Sequence, residues 1–150
     1  KMHIHTAIET SGYAPWDTVI KPMLPYIDLI LFDIKHIDPE AHRRYTGVSN
    51  ELILRNLKLI NSYGGKIVVA VPLIPSINMF KSVVEGIARF LSTLRNVEKV
   101  VLRPYHRLGV PKYRLLGREY KLAHVSPPAE DDLLYYKKII EEWGITCEIG

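Results

Sequence analysis

The sequence predicts an α/β domain built on parallel strands, and three observations predict it. Short apolar runs alternate with longer stretches of helical period, the order that builds strand–helix–strand units with right-handed crossovers. The central runs, residues 27–34, 67–74 and 97–102, are rich in Val, Ile and Leu, as strands buried on both faces are. The length, 150 residues, suits one domain, since domains most often hold roughly 100–150 residues.

In chain order, residues 2–8 read as a first strand, followed over residues 17–26 by a poor helix interrupted by Pro22 and Pro25. The strand at 27–34 follows. Leu52, Ile53, Leu57 and Ile60 then recur at helical spacing, between Ser49 as N-cap and Gly64-Gly65 as stop. After the strand at 67–74, Val83, Val84, Ile87, Phe90, Leu91 and Leu94 make a second helical stripe, and the strand at 97–102 succeeds it. Residues 105–128 have no clear period and form a long connection, a kind of segment that is often functional. The last helix starts after Ser126-Pro127-Pro128, with Glu130, Asp131 and Asp132 in the first turn, where the helix dipole favours anions. Leu133, Tyr136, Ile140 and Trp143 form its buried face, Gly144 ends it, and a weak strand covers residues 145–149. These units are too few for a closed eight-fold barrel of roughly 250 residues. An open doubly wound sheet and part of a barrel both fit.

Composition narrows the function. The single cysteine, Cys147, excludes an internal disulfide framework and any multi-cysteine metal or iron–sulfur site made by this chain alone. A net charge of +4 permits nucleic-acid binding without demanding it, because no block of like charges occurs. No apolar run approaches the roughly 18 residues of a membrane span, and the start carries no signal-peptide pattern, so the expected location is cytoplasmic. The absence of glutamine beside abundant Ile, Tyr, Arg, Lys and Glu leans towards a thermophile. Lys1 is no natural initiator, and the first strand begins without a lead-in, so the chain reads as a fragment.

In either architecture the active site lies at the carboxyl ends of the strands. Those ends read Glu9-Thr10-Ser11-Gly12, Asp33-Ile34-Lys35-His36, Pro75-Ser76-Ile77-Asn78 and Arg103-Pro104-Tyr105-His106. Asp33 and Lys35 are two apart, so in a strand they share a face. With Glu9 on a neighbouring strand they could bind a zwitterion, Lys35 taking a carboxylate and the acids an ammonium or small cation. The same spacing also suits a plain structural ion pair. His3 and His5 share a strand face without an evident third ligand, and His36 and His42 read as loop residues beyond a strand. Arg43-Arg44-Tyr45 and the basic stretch from Arg103 to Arg118 could track a nucleic-acid backbone or simply be solvated.

Several blocks carry a family likeness. His5-Thr6-Ala7-Ile8-Glu9-Thr10-Ser11-Gly12, Leu31-Phe32-Asp33-Ile34-Lys35 and Tyr105-His106-Arg107-Leu108-Gly109 resemble successive blocks of the glycyl-radical-enzyme activating enzymes. These are radical S-adenosylmethionine (SAM) proteins whose type member is pyruvate formate-lyase activating enzyme. The likeness continues in order through His42-Arg43-Arg44-Tyr45-Thr46-Gly47-Val48, Pro72-Leu73-Ile74-Pro75 and Lys112-Tyr113 to Tyr120.

The resemblance implies a parallel-stranded partial TIM-type barrel, a fragment of a (β/α)6 radical SAM barrel from its third strand onward. It implies a 4Fe–4S cluster and SAM as cofactors, and a deoxyadenosyl radical that takes hydrogen from a backbone glycine. The implied partners are a glycyl radical enzyme and an electron donor such as flavodoxin or ferredoxin. Asp33, Lys35 and His106 match cofactor-contacting positions, and Asn78 at a strand end is counted with them. Glu9, Thr10, Leu31 and Asp33 match the surroundings of a monovalent cation beside the cofactor carboxylate. The family's CxxxCxxC motif and Gly-Gly-Glu strand end lie upstream of the matched blocks. Residues 1–150 are therefore expected to be the carboxyl-terminal part of the barrel domain, without iron–sulfur ligands or activity of their own. Glu9 stands for the usual Asp, Ala70 for a common Arg and Ser76 for Gly. The competing readings are another radical SAM protein and a non-catalytic basic module for an acidic partner or RNA.

Overall fold

The computed structural model describes residues 4–150. Its strands are β1 (Ala7–Thr10), β2 (Leu29–Asp33), β3 (Ile67–Leu73), β4 (Val97–Pro104) and β5 (Cys147–Ile149). They form one sheet, parallel throughout, with spatial order equal to chain order. A doubly wound sheet reverses direction at a switch point. This sheet never does, so successive right-handed crossovers carry their helices to one face, as in a barrel wall.

The first strand is shorter than the expected 2–8 and shifted forward. Thr6 is held at its start by Asp28, whose carboxylate accepts from the Thr6 N–H at 2.8 Å, and ladder pairing begins at Ala7 opposite Leu29. His3 lies outside the described residues. The crossover to β2 is the broken helix expected: a π-helical turn (Trp16–Ile20), one α-turn, α1 (Lys21–Met23), and a 3-10 turn (Leu24–Tyr26). Pro22 and Pro25, lacking N–H groups, prevent a continuous helix there.

Two helices were not anticipated. α2 (Pro39–Thr46) contains His42, which is buried and not a loop residue. Asp38 caps this helix by accepting from the Ala41 N–H at 2.7 Å, and Gly47 closes it at φ 89°. α5 (Val110–Leu115) occupies part of the long connection. α3 (Glu51–Tyr63), α4 (Lys81–Leu91) and α6 (Glu130–Glu141) fall on the expected stripes, except that Trp143, expected on the buried face of the last helix, lies beyond the end of α6 and is exposed. The N-cap of α3 is Asn50 and not the expected Ser49: the Ser49 hydroxyl accepts from the Glu51 N–H at 3.3 Å, while Asn50 sends its amide to the carbonyls of His36 and Ile37, both at 2.8 Å. That pins the start of α3 to the chain leaving β2.

Alternate strand residues form the core. Ile30, Phe32, Ile67, Val69, Val71, Leu73, Val100, Leu102 and Cys147 pack against Leu57, Ile60, Val84, Ile87 and Ile140 of the helices. Residues of opposite parity face away from the helices. Across the register these are Glu9, Leu31 and Asp33, then Val68, Ala70 and Pro72, then Lys99, Val101 and Arg103. Function belongs to this second face, because the first is filled.

Candidate cofactor-binding rim

Asp33 ends β2 and Lys35 follows it on the same side of the chain. The Lys35 ammonium donates to Asp33 Oδ2 at 3.1 Å, with the side chains 40% and 24% exposed. The pair is therefore accessible from the concave face. Asp33 is the only partner of that ammonium among the described residues, so further donors remain for an incoming carboxylate.

Glu9 enters the same face from β1. Its Oε1 accepts from Arg103 Nη1 of β4, across the two intervening strands. Three strand spacings amount to roughly 14 Å, and side chains stand nearly perpendicular to a sheet. A direct contact therefore requires the sheet to curl towards these two residues. Glu9 shares its row with Leu31, Val68 and Lys99, so Arg103 lies further along β4 than its lateral counterpart. Such a stagger accompanies the tilted strands of a barrel. The hydrogen bond that Arg103 donates to Glu9, helped by the fields of Glu9 and Asp33, holds the guanidinium above its ordinary pKa, against the opposing effect of burial.

Arg103 thus belongs to the rim, as its place in the strand end Arg103-Pro104-Tyr105-His106 suggests, and not only to the basic stretch. Counting by twos along β4 from Lys99 through Val101 would have put it on the concave face. Two arginines of the basic stretch are tied to other parts of the chain. Arg103 turns inward to Glu9, and Arg107 donates Nε to the Val125 carbonyl at 3.0 Å.

The remaining expected site residues separate. Thr10 and Leu31 lie on adjacent strands next to Glu9 and Asp33, but the Thr10 hydroxyl accepts from the Gly12 N–H at 2.9 Å. His106 is exposed beyond the end of β4, with Nδ1 accepting from the Leu108 N–H at 3.3 Å. Asn78 is buried, and its amide is fully engaged by backbone. Nδ2 donates to the carbonyls of Lys35 (2.9 Å) and Pro72 (2.5 Å), and Oδ1 accepts from the Ile74 N–H at 2.7 Å. Its geometry is that of a strut beneath Lys35, with no polar group left for a ligand.

Beside Lys35 opens a cavity of about 730 Å³. Its walls include His36, His42 and Tyr45, the β3 end at Pro72 and Ile74, and Tyr120 from the long connection. His36 Nδ1 accepts from the Asp38 N–H at 3.0 Å, and burial pushes this imidazole below its ordinary pKa. His42 Nδ1 lies 2.7 Å from the Val48 carbonyl, a bond that requires the ring nitrogen to donate. The sequence reading missed both as buried groups because the capped helix α2 went unrecognised.

Comparison with known proteins bears on this arrangement. No family model matches the chain. It is 44% identical over 127 residues to the isethionate sulfite-lyase activating enzyme of Oleidesulfovibrio alaskensis, covering 83% of this chain and 40% of that protein. It is 41% identical over 153 residues to the choline trimethylamine-lyase activating enzyme of the same organism, covering 99% of this chain and 49% of that one. The chain is homologous to part of the glycyl-radical-enzyme activating enzymes. It spans about half the length of the curated relatives it matches. Among solved structures, a domain of pyruvate-formate lyase-activating enzyme from Bacteroides vulgatus matches with TM-score 0.81 and 26% identity, over 98% of this chain and 81% of that one.

The homology brings an iron–sulfur cluster into question, and the residues present do not suit one. Cys147 is the only cysteine; it is 3% exposed in the core between β5 and the helices, and burial raises its thiol to about 12. A cluster ligand must be a thiolate. Among the described residues no group of three or more His, Cys, Asp and Glu side chains is placed to hold a metal ion, and no helix is long and apolar enough to cross a membrane.

Proposed function

We propose that this chain is the carboxyl-terminal, SAM-binding part of a radical SAM barrel that activates a glycyl radical enzyme. One observation carries the reading: a half-buried Asp33–Lys35 pair at the carboxyl end of a parallel strand, in a chain homologous to activating enzymes. When bound and reductively cleaved, SAM supplies the radical that abstracts hydrogen from the partner's glycine. This chain's residues bind and orient it. The Lys35 ammonium receives the carboxylate of the methionyl group, and Asp33 receives its ammonium. Asn78 fixes the backbone that presents Lys35. His106 offers an imidazole from beyond the end of β4, and Glu9 and Asp33, with Thr10 and Leu31 beside them, provide negative charge where a cation would balance the bound carboxylate.

The cluster ligands belong to residues other than these 150. The electron donor is of the flavodoxin or ferredoxin kind, which suits a reducing cytoplasm. The test joins this segment to the cluster-bearing part of the same protein. After anaerobic reduction with SAM, spin resonance should detect a glycyl radical in the partner, and Lys35→Ala should suppress it. Cleavage of SAM without a partner radical would favour a different radical SAM protein.

A further inference from the structure

The Glu9, Thr10, Leu31 and Asp33 quartet, expected to surround an exchangeable monovalent ion, already faces a fixed positive charge. Glu9 Oε1 is bonded to Arg103 Nη1. Asp33, the other acid of the quartet, contributes to the field at the same guanidinium and is itself paired with Lys35. The Thr10 hydroxyl accepts from Gly12 and is thereby directed to its own turn. Leu31 offers no side-chain donor atom. Both acids of the quartet thus have a basic partner before any ion arrives, and a bare ion would have to displace a charge-assisted bond. A guanidinium is also weakly hydrated and rigid compared with an ammonium, so it loses little on being held against a carboxylate.

We infer that the Arg103 guanidinium takes the place of the monovalent cation, giving the rim a built-in positive charge held against Glu9. The inference rests on the reading of this rim as the SAM site. There Arg103 would stand beside the bound carboxylate as a second cation after Lys35. The chain then needs no potassium or sodium to bind its cofactor.

The test uses the protein in choline buffer at constant ionic strength, with sodium chloride as the probe and sodium NMR line width as the readout. The wild type should show no saturable broadening. Arg103→Leu should acquire it, Arg103→Lys should not, and Glu9→Gln added to Arg103→Leu should abolish it. Saturable broadening in the wild type that disappears in Glu9→Gln would overturn the inference. So would its absence from a folded Arg103→Leu variant, because the quartet would then be no cation site to replace. A parallel calorimetric titration with SAM separates the inference from the reading beneath it. Wild-type affinity should be the same in choline and potassium. Arg103→Leu should bind on the order of tenfold more weakly in choline, the size of one charge-assisted contact, and recover with potassium. If SAM binds neither protein under any condition, the cofactor reading fails, while the sodium measurement still judges the Arg103 pair.

Discussion

The side-chain amide of Asn78 holds the backbone carbonyl of Lys35 at 2.9 Å while its oxygen closes the turn after β3 on the Ile74 N–H at 2.7 Å. One buried residue thus joins the two strand ends that frame the cavity. Asn78→Ala would leave two carbonyls and an N–H without this partner. Buried unsatisfied groups cost roughly 1–3 kcal/mol each, so the expected loss is on the order of 3 kcal/mol, read from denaturant midpoints. An unchanged midpoint would mean that water replaces the amide freely.

Ser76 sits at φ 64° in the turn that Asn78 closes, following Pro75 and preceding the Ile77 N–H bond to the Ile74 carbonyl at 3.1 Å. That left-handed backbone costs an L-residue roughly 1–2 kcal/mol, and a turn with Pro then positive φ favours glycine at the second position. Ser76→Gly should therefore stabilise the protein by about 1 kcal/mol, after allowing for glycine's greater freedom when unfolded. A lower unfolding midpoint would contradict the turn geometry.

The architecture was legible because period and composition carry it. Residues 27–34 and 67–74 contain β2 and β3, while 97–102 covers only the first part of β4, which runs on to Pro104. The stripe that ends at Gly64 became α3, and the last became α6, which stops at Glu141, short of Gly144. At the rim, the spacing of Asp33 and Lys35 correctly put them together. Spacing along β4 places Arg103 on the concave face, but its contact with Glu9 is not legible there, since the two are distant in sequence and meet only when the sheet curls. Asn78 was assigned to the ligand for a related reason: local sequence does not tell whether a polar strand-end residue faces the mouth or ties the backbone beneath it. α2 was missed because its interior is polar, although Asp38-Pro39 and Gly47 mark both ends.

His36 makes stability depend on pH. Burial lowers its folded pKa below 6.5, so between that folded value and 6.5 the unfolded chain binds more protons. The contribution is present above the unfolded pKa and is lost as pH falls through the folded one. Protonation would also remove the Nδ1 acceptor of the Asp38 N–H. Denaturant midpoints should fall as pH drops from neutrality through 6, and His36→Gln should flatten that slope. Equal slopes in the two proteins would show that another group is responsible.

Cys147 should be inert. With its thiol raised to about 12 and buried, it should react with a thiol reagent at mildly alkaline pH only as fast as the protein unfolds. Anaerobic iron and sulfide loading of the 150-residue chain should give no stoichiometric cluster by absorbance. A full cluster per chain would refute the assignment of its ligands to residues elsewhere.

The central claim is that the Asp33–Lys35 rim holds the amino-acid end of SAM, and calorimetric titration of SAM into the folded protein and its Lys35→Ala variant tests it most directly. A charge-assisted contact contributes roughly 1.5–3 kcal/mol, so Lys35→Ala should bind on the order of ten- to a hundredfold more weakly. Asp33→Ala should do similar damage, and His106→Ala less. Equal affinity for wild type and Lys35→Ala, with only thermal stability reduced, would make the pair a structural ion bridge and contradict the account.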